Sequence, residues 1–243
     1  LSQLYIQDNN IGRSGEIALR AMRSRNLVGK KKIEKKLDLN EQKLDNKDLT
    51  SLAQYEKLND LESLSLRNNH FDYLGVEELV SSSFVKNLKS LNLMSNKVED
   101  KGLLLLAESS NLAQLESLNL ENTGITTIGV LALSKSPHIN KLKELNLSGN
   151  NLGEKAFRIL ADANNFKNLV KLRASGVQVS DNGFQSIVES RNLNRLQELE
   201  VMGNTITRDS LDSLESSEFL GAQLKKLDIR RNKLLEADLI FLA

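Results

Sequence analysis

A leucine template, LxxLxLxxNxLxxxGxxxL, recurs nine times along this chain and constrains its fold more than any other feature. The leucines at the fourth template position are Leu4, Leu37, Leu64, Leu91, Leu118, Leu145, Leu172, Leu199 and Leu227. From the third repeat to the eighth they fall every 27 residues. A unit of that length cannot bury its apolar side alone, so repetition at this period means a solenoid in which each unit closes its core against its neighbours. Residues 1–243 are therefore read as one quasi-linear domain rather than two globular ones.

Inside the unit, the leucines at positions 4 and 6 have the period-two alternation of a short strand, leucines inward and the residues between them outward. Position 11 is always apolar: Ile11, Leu44, Phe71, Val98, Ile125, Leu152, Val179, Ile206 and Leu234. From position 15 the spacing becomes helical, as in Gly102, Leu103, Leu105 and Leu106, or Gly75, Val76, Leu79 and Val80. Each unit is expected to run strand, turn, helix, loop. Stacking places the strands side by side in parallel on one face, and the wider helices force the stack to curve with the strands inside.

Position 9 is Asn in six repeats, Asn9, Asn69, Asn96, Asn150, Asn204 and Asn232. A buried amide at that point satisfies backbone groups that a turning chain leaves unpaired, which predicts a ladder along the solenoid. The 27-residue unit, with this Asn and its GxxxL helix start, resembles the ribonuclease-inhibitor-like class of leucine-rich-repeat (LRR) proteins. The resemblance covers essentially the whole chain. It implies an α/β fold, a right-handed LRR solenoid or horseshoe with a parallel β-sheet on the concave face and α-helices on the convex face. That class also includes the sensor regions of intracellular immune receptors and a group of GTPase-activating proteins, and a shared scaffold does not define a shared activity. Animal members often alternate longer repeats and carry Cys at position 9. The uniform, Lys- and Asn-rich repeats seen here resemble those of bacterial, effector-type LRR proteins that act inside eukaryotic hosts.

Composition narrows the chemistry. The chain has no cysteine and two histidines, which excludes disulfide-bonded end caps, thiolate zinc sites and a multi-histidine metal site. No cofactor, metal or small-molecule substrate is expected. The absence of cysteine favours a reducing compartment, the cytoplasm or a host cytoplasm reached by secretion without disulfides. The longest apolar run, residues 103–107, is far too short to cross a bilayer. With aromatic residues at 4% and no tryptophan, aliphatic side chains must supply the core. Neither end carries a polar capping face, so the chain is expected to be a fragment of a longer protein. His70 and His138 sit in or beside loops with no nucleophile nearby, and no phosphate-binding glycine loop is present, so no enzymatic activity is expected.

Two repeats depart from the template. Repeat two has Glu34 at position 1 and Gln42 at position 9, and it follows a six-residue insertion, since Leu4 and Leu37 are 33 apart. From Arg13 to Lys36 nine basic residues face only Glu16 and Glu34, a local +7 in a chain of net +1. Lys30, Lys31, Lys32, Lys35 and Lys36 form a candidate patch for an anionic partner, with a solvated loop as the plain alternative. Nothing aromatic is interleaved to stack bases, which argues against nucleic acid and leaves an acidic protein segment, or less favourably peripheral contact with a phospholipid membrane, as the anionic partner. Repeat seven has Ala174 at position 6 and Val177 at position 9, a loss of volume that Phe166 or Phe184 is placed to fill. Asp48, Ala156, Ser210 and Asp238 replace the glycine near the helix start.

The outward residues at positions 3, 5, 7 and 8 form the inner surface, about 40 Å long for nine strands at about 4.8 Å. Its middle is small and polar, and towards the C-terminus charge alternates from Lys171 and Arg173 to Glu198 and Glu200, then to Lys226, Asp228, Arg230 and Arg231. Candidate partner-binding residues on this face are Tyr5, Arg67, Asn92, Met94, Asn119, Glu121, Arg173, Glu200, Met202 and Arg230, because interfaces draw their energy from aromatic, Arg and adaptable apolar anchors. The resulting expectation is a non-enzymatic scaffold that binds a protein partner on the concave face. The alternatives are a GTPase-activating protein of the same repeat class and a module that targets anionic surfaces through the 13–36 segment.

Overall fold

The computed structural model describes residues 35–54, 61–217, 220 and 223–235. The first repeat, with Tyr5, and the lysines Lys30, Lys31 and Lys32 lie outside these residues. Eight three-residue strands form one parallel sheet in strictly sequential order: β1 (Lys36–Asp38), β2 (Ser63–Ser65), β3 (Ser90–Asn92), β4 (Ser117–Asn119), β5 (Glu144–Asn146), β6 (Lys171–Arg173), β7 (Glu198–Glu200) and β8 (Lys226–Asp228). Register follows the repeat, with Leu37 opposite Leu64, Leu64 opposite Leu91, and so on to Leu199 opposite Leu227. A 28-residue step precedes β8, yet the leucines still align, because the extra residue is absorbed before the strand.

Among the described residues seven α-helices alternate with the strands: α1 (Asn46–Ala53), α2 (Tyr73–Ser81), α3 (Glu99–Glu108), α4 (Thr127–Ser134), α5 (Gly153–Asp162), α6 (Asp181–Val188) and α7 (Arg208–Glu215). The core between sheet and helices is one continuous apolar cluster of leucine, isoleucine and valine with five phenylalanines fully buried. Strands stack about 4.8 Å apart and packed helices 8–10 Å apart, so the strand side is the shorter, concave one. The fold is a leucine-rich-repeat solenoid with its parallel sheet on the concave face and its helices on the convex face.

Three side-chain ladders tie neighbouring repeats together. In the first, Asn69 Oδ1 accepts from the amides of Gln42 and Leu44, while its Nδ2 donates to the carbonyls of Leu39 and Leu66. Asn96, Asn150, Asn204 and Asn232 repeat this bridge between their own repeat and the one before. The predicted ladder is therefore present along the described stack. Where Thr123 stands in place of Asn, its hydroxyl donates to the Leu120 carbonyl at 2.6 Å. Where Val177 stands, its backbone amide is still received by Asn204. Ala174 and Val177 are fully buried, and so are Phe166 and Phe184 in the same cluster, as local repacking requires.

The second ladder lies at the helix starts. The helices begin at template positions 12 or 13, two to three residues earlier than periodicity predicts, and Asp45, Asp72, Thr126 and Thr207 cap four of them through their side chains. The template glycine is thus the third residue of α2 and α4, and it is there to admit a neighbour. A Cβ on Gly129 would stand 2.7 Å from Asp100 Oδ1, the atom that accepts from the amides of Thr126 and Gly129. Asn46 braces Asp72 and Gly75 in the same way. Ser210, which replaces that glycine in α7, donates its hydroxyl to Asp181 instead, and Asp48 completes a capping box with Asp45.

The third ladder is made of serines at position 22. Ser82, Ser109, Ser136, Ser190 and Ser217 each donate to a carbonyl of the preceding repeat's helix, Ala53, Val80, Ala107, Ala161 and Val188 respectively. Ala163 occupies the one position where this series is interrupted.

Candidate functional site

The inner face is built by the alternation within each three-residue strand. The central leucine points into the core, and its two neighbours, at positions 3 and 5, face outward. Positions 7 and 8 follow in the turn, and position 8 takes a left-handed backbone in every described repeat. Glu41, Asn68, Ser95, Asn122 and Arg231 adopt it with φ between 52° and 59°, and glycines adopt it in the three repeats from Gly149 to Gly203. At Gly149 a side chain would collide with Asn122, which leans over it from the preceding repeat.

The sheet brings Arg67, Asn92, Met94, Asn119, Glu121, Arg173, Glu200, Met202 and Arg230 onto this single surface. The three arginines, expected as free anchors, all have intramolecular partners. Arg67 pairs with Glu41, Arg173 Nε donates to Glu200 at 3.1 Å, and Arg230 bonds Asp228 at 2.6 and 2.9 Å. Arg67 Nε is buried with no partner among the described residues. Glu121 accepts from Asn146 Nδ2 at 2.9 Å, and Glu200 also receives Lys226. Lys171 bridges to Glu198, which completes a network across β6, β7 and β8.

This network sets the local electrostatics. Hydrogen bonding by Arg230 draws the Asp228 carboxyl down to about 2 from its ordinary 3.8, against the smaller opposing effect of burial. Lys171 likewise lowers Glu198, and Glu200 raises Lys226. The charges of the C-terminal half of the face are thus largely neutralised by one another.

A further set of charges escaped the repeat-by-repeat reading. At position 2, on the leading edge of the strands, the chain carries Lys35, Glu62, Lys89, Glu116 and Lys143, alternating in sign. Glu62 binds both Lys35 and Lys89, and Glu116 binds Lys143 at 2.8 Å. Of the anionic-patch candidates within the described residues, Lys35 therefore belongs to this edge and Lys36 is exposed beside it. Lys35, Lys36, Glu62, Ser63, Lys89 and Ser90 line a shallow depression of about 540 Å³. Reading down the column of position 2, rather than along each repeat, would have revealed the alternation.

The middle of the inner face is different. Ser63, Ser65, Ser90, Asn92, Ser117 and Asn119 occupy positions 3 and 5 of β2, β3 and β4, and none carries a charge. Asn92 and Asn119 each use Oδ1 to accept the amide two residues on, Met94 and Glu121, at 3.0 Å. Their Nδ2 groups make no hydrogen bond among the described residues. Met94 lies half-buried in the turn that follows Asn92. Beside the strip, the turns leave a depression of about 480 Å³ lined by Asn69, His70, Ser95, Asn96, Lys97 and Asn122. No three His, Cys, Asp or Glu side chains among the described residues are grouped to hold a metal ion, and no helix among them is long and apolar enough to cross a membrane.

The fold is that of a leucine-rich-repeat solenoid. Residues 57–80, 86–107 and 138–155 match the family model described as Leucine Rich repeat. The chain is similar in structure to internalin C2 from Listeria monocytogenes, with a TM-score of 0.57 at 21% identity, over 87% of this chain and 77% of that one. It is also similar to the internalin inlF from the same organism, with a TM-score of 0.51 at 20% identity, over 77% of this chain and 46% of that one. Both are likenesses of fold. No curated protein sequence is matched significantly by the chain.

Proposed function

We propose that the chain is a non-enzymatic interaction scaffold that holds a protein partner on the concave face, centred on the neutral strip of β2, β3 and β4. The observation that carries this reading is the division of labour on that face. Charges at the leading edge and in the C-terminal strands bond one another. In the middle, serine and asparagine groups are aligned at about 4.8 Å intervals, and the Nδ2 donors of Asn92 and Asn119 are uncommitted among the described residues. A partner meeting such a strip gains hydrogen bonds without breaking an ion pair, and Met94 supplies an adaptable apolar contact. An LRR scaffold suits this task because its extended concave surface is set by the stack and not by mobile loops.

The cysteine-free composition and the resemblance to effector-type repeats support a site of action in a reducing cytoplasm, including that of a host cell. The test is capture of partners from eukaryotic cytosol by the chain and by an Asn92→Arg/Asn119→Arg variant with the same melting curve. A partner held by the first and lost by the second supports the reading. A partner held equally by both places binding elsewhere and overturns it. Arginine is introduced on the strip because reversing Arg173 would set a third acid beside Glu198 and Glu200 and confound binding with stability.

A further inference from the structure

The convex surface carries a feature that concave-face binding does not use. Leu74, Leu104, Ile128 and Leu131 on α2, α3 and α4 are between 38% and 69% exposed. Contiguous exposed aliphatic side chains on a folded surface mark a contact site more often than an isolated one does. Leu104 and Leu131 occupy the same helical position one repeat apart, and the row they belong to reads Glu77, Leu104, Leu131, Arg158 across α2 to α5. One turn further on, Glu108 closes α3 and Lys135 follows α4. All four charged side chains are exposed, and none forms an ion pair among the described residues.

We infer that a second copy of this chain covers this patch, back to back, about a two-fold axis running parallel to the helices between α3 and α4. That axis reverses the order of the repeats in the second copy. Leu104 then faces Leu131 of the partner subunit, Glu77 faces Arg158 of the partner subunit, and Glu108 faces Lys135 of the partner subunit. The neighbouring row obeys the same operation. It reads Leu74, Lys101, Ile128, Lys155, so reversal sets each exposed apolar side chain against a lysine stem, whose methylenes cover apolar surface while the ammonium stays in water. An isologous contact requires one patch to be its own complement, and acid–apolar–apolar–base is self-complementary only under this reversal. The convex curvature confines contact to the helices around α3 and α4, where the exposed side chains lie. Two concave faces would then point away from each other, giving a bivalent particle whose avidity exceeds that of either face.

The experiment is sedimentation of the 243-residue chain from about 1 µM to about 1 mM, a range that covers weak association. The expected result is a rise in mass from one chain to two. Leu104→Glu/Leu131→Glu, both exposed, leaves the melting curve unchanged and abolishes the rise. Glu77→Arg and Arg158→Glu each weaken association about tenfold, since each homodimer loses two ion pairs and gains two like-charge contacts. Mixing the two single variants restores it, because their heterodimer regains both opposite-charge contacts. A single-chain mass throughout the range overturns the proposal. So does a dimer that survives the double leucine change, or a mixture no tighter than the separate variants.

Discussion

The inner and outer faces are built from the same 27-residue repeat, yet they treat charge in opposite ways. On the strand side, residues one repeat apart sit about 4.8 Å from each other, so a charge at one level must suit the next. The leading edge alternates Lys35, Glu62, Lys89, Glu116, Lys143, and position 3 sets Lys171, Glu198 and Lys226 in succession. Glu200 and Asp228 are like charges in adjacent strands, and each has its own cation. On the helix side packed axes stand 8–10 Å apart, so neighbours pair only where two side chains reach across, as Lys101 does over the Tyr73 ring. There Glu108 and Lys135 stand one repeat apart without pairing, and like charges such as Asp162 and Glu189 occupy equivalent positions. The close strand spacing lets the inner face satisfy its own charges, while these outer-face charges form no ion pair among the described residues.

The strongest test of the shared framework is Leu118→Ala, which opens a cavity in the wall both faces rest on and is expected to cost about 2–5 kcal/mol in denaturant unfolding. Asn96→Ala strips partners from the Asn69 amide and from the carbonyls of Leu66 and Leu93. The Leu66 carbonyl keeps Asn69 Nδ2, so two orphans remain, and at roughly 1–3 kcal/mol each, partly relieved by water, a loss of about 2–3 kcal/mol is expected in the same assay. An equal loss for Ser63→Ala would break the distinction between ladder and surface.

Charge reversal probes the faces against each other. Lys89→Glu places a third acid between Glu62 and Glu116 and is expected to lower Tm on the order of 1–3 °C, an effect that high salt removes. Lys135→Glu on the convex side, measured in dilute solution, leaves Tm unmoved. Equal shifts would refute the spacing argument.

Acid titration offers a subtler reading. The folded Asp228 pKa, about 2, lies below the ordinary 3.8, so its contribution to stability is present above about pH 4 and is lost as pH falls towards 2. Carboxyl-carbon NMR should find that low midpoint, and an ordinary midpoint would mean Arg230 does not hold the carboxylate in solution. The smallest effect expected is that of Ser65→Ala, which forfeits one half-buried hydrogen bond to Asn40 and stays within about 0.5 kcal/mol of the parent.

Much of this was legible before any coordinates. The leucines at positions 4 and 6, the apolar residue at 11 and the asparagine at 9 act within one repeat or between immediate neighbours, so their roles follow from period alone. The serine ladder and the alternating edge were also written in the chain, as columns at 27-residue intervals, and were passed over because Ala163 interrupts one and position 2 lies just outside the strand motif. The helices start two to three residues before the apolar periodicity begins, at capped starts such as Asp72 and Thr126 and at uncapped ones such as Glu99 alike.

The sequence by itself determined the stack, its register and the chemistry of each column, because a fixed repeat leaves every residue only one set of equivalent neighbours. Tertiary structure decided which of those columns close on themselves. Arg67, Arg173 and Arg230 look alike in the chain, and only the folded stack shows each already bound to an acid, the first two across repeats and Arg230 to Asp228 two residues before it. Glu77 and Arg158 make no ion pair among the described residues because their column sets Thr50, Leu104, Leu131 and Gln185 beside them, with no opposite charge one repeat away.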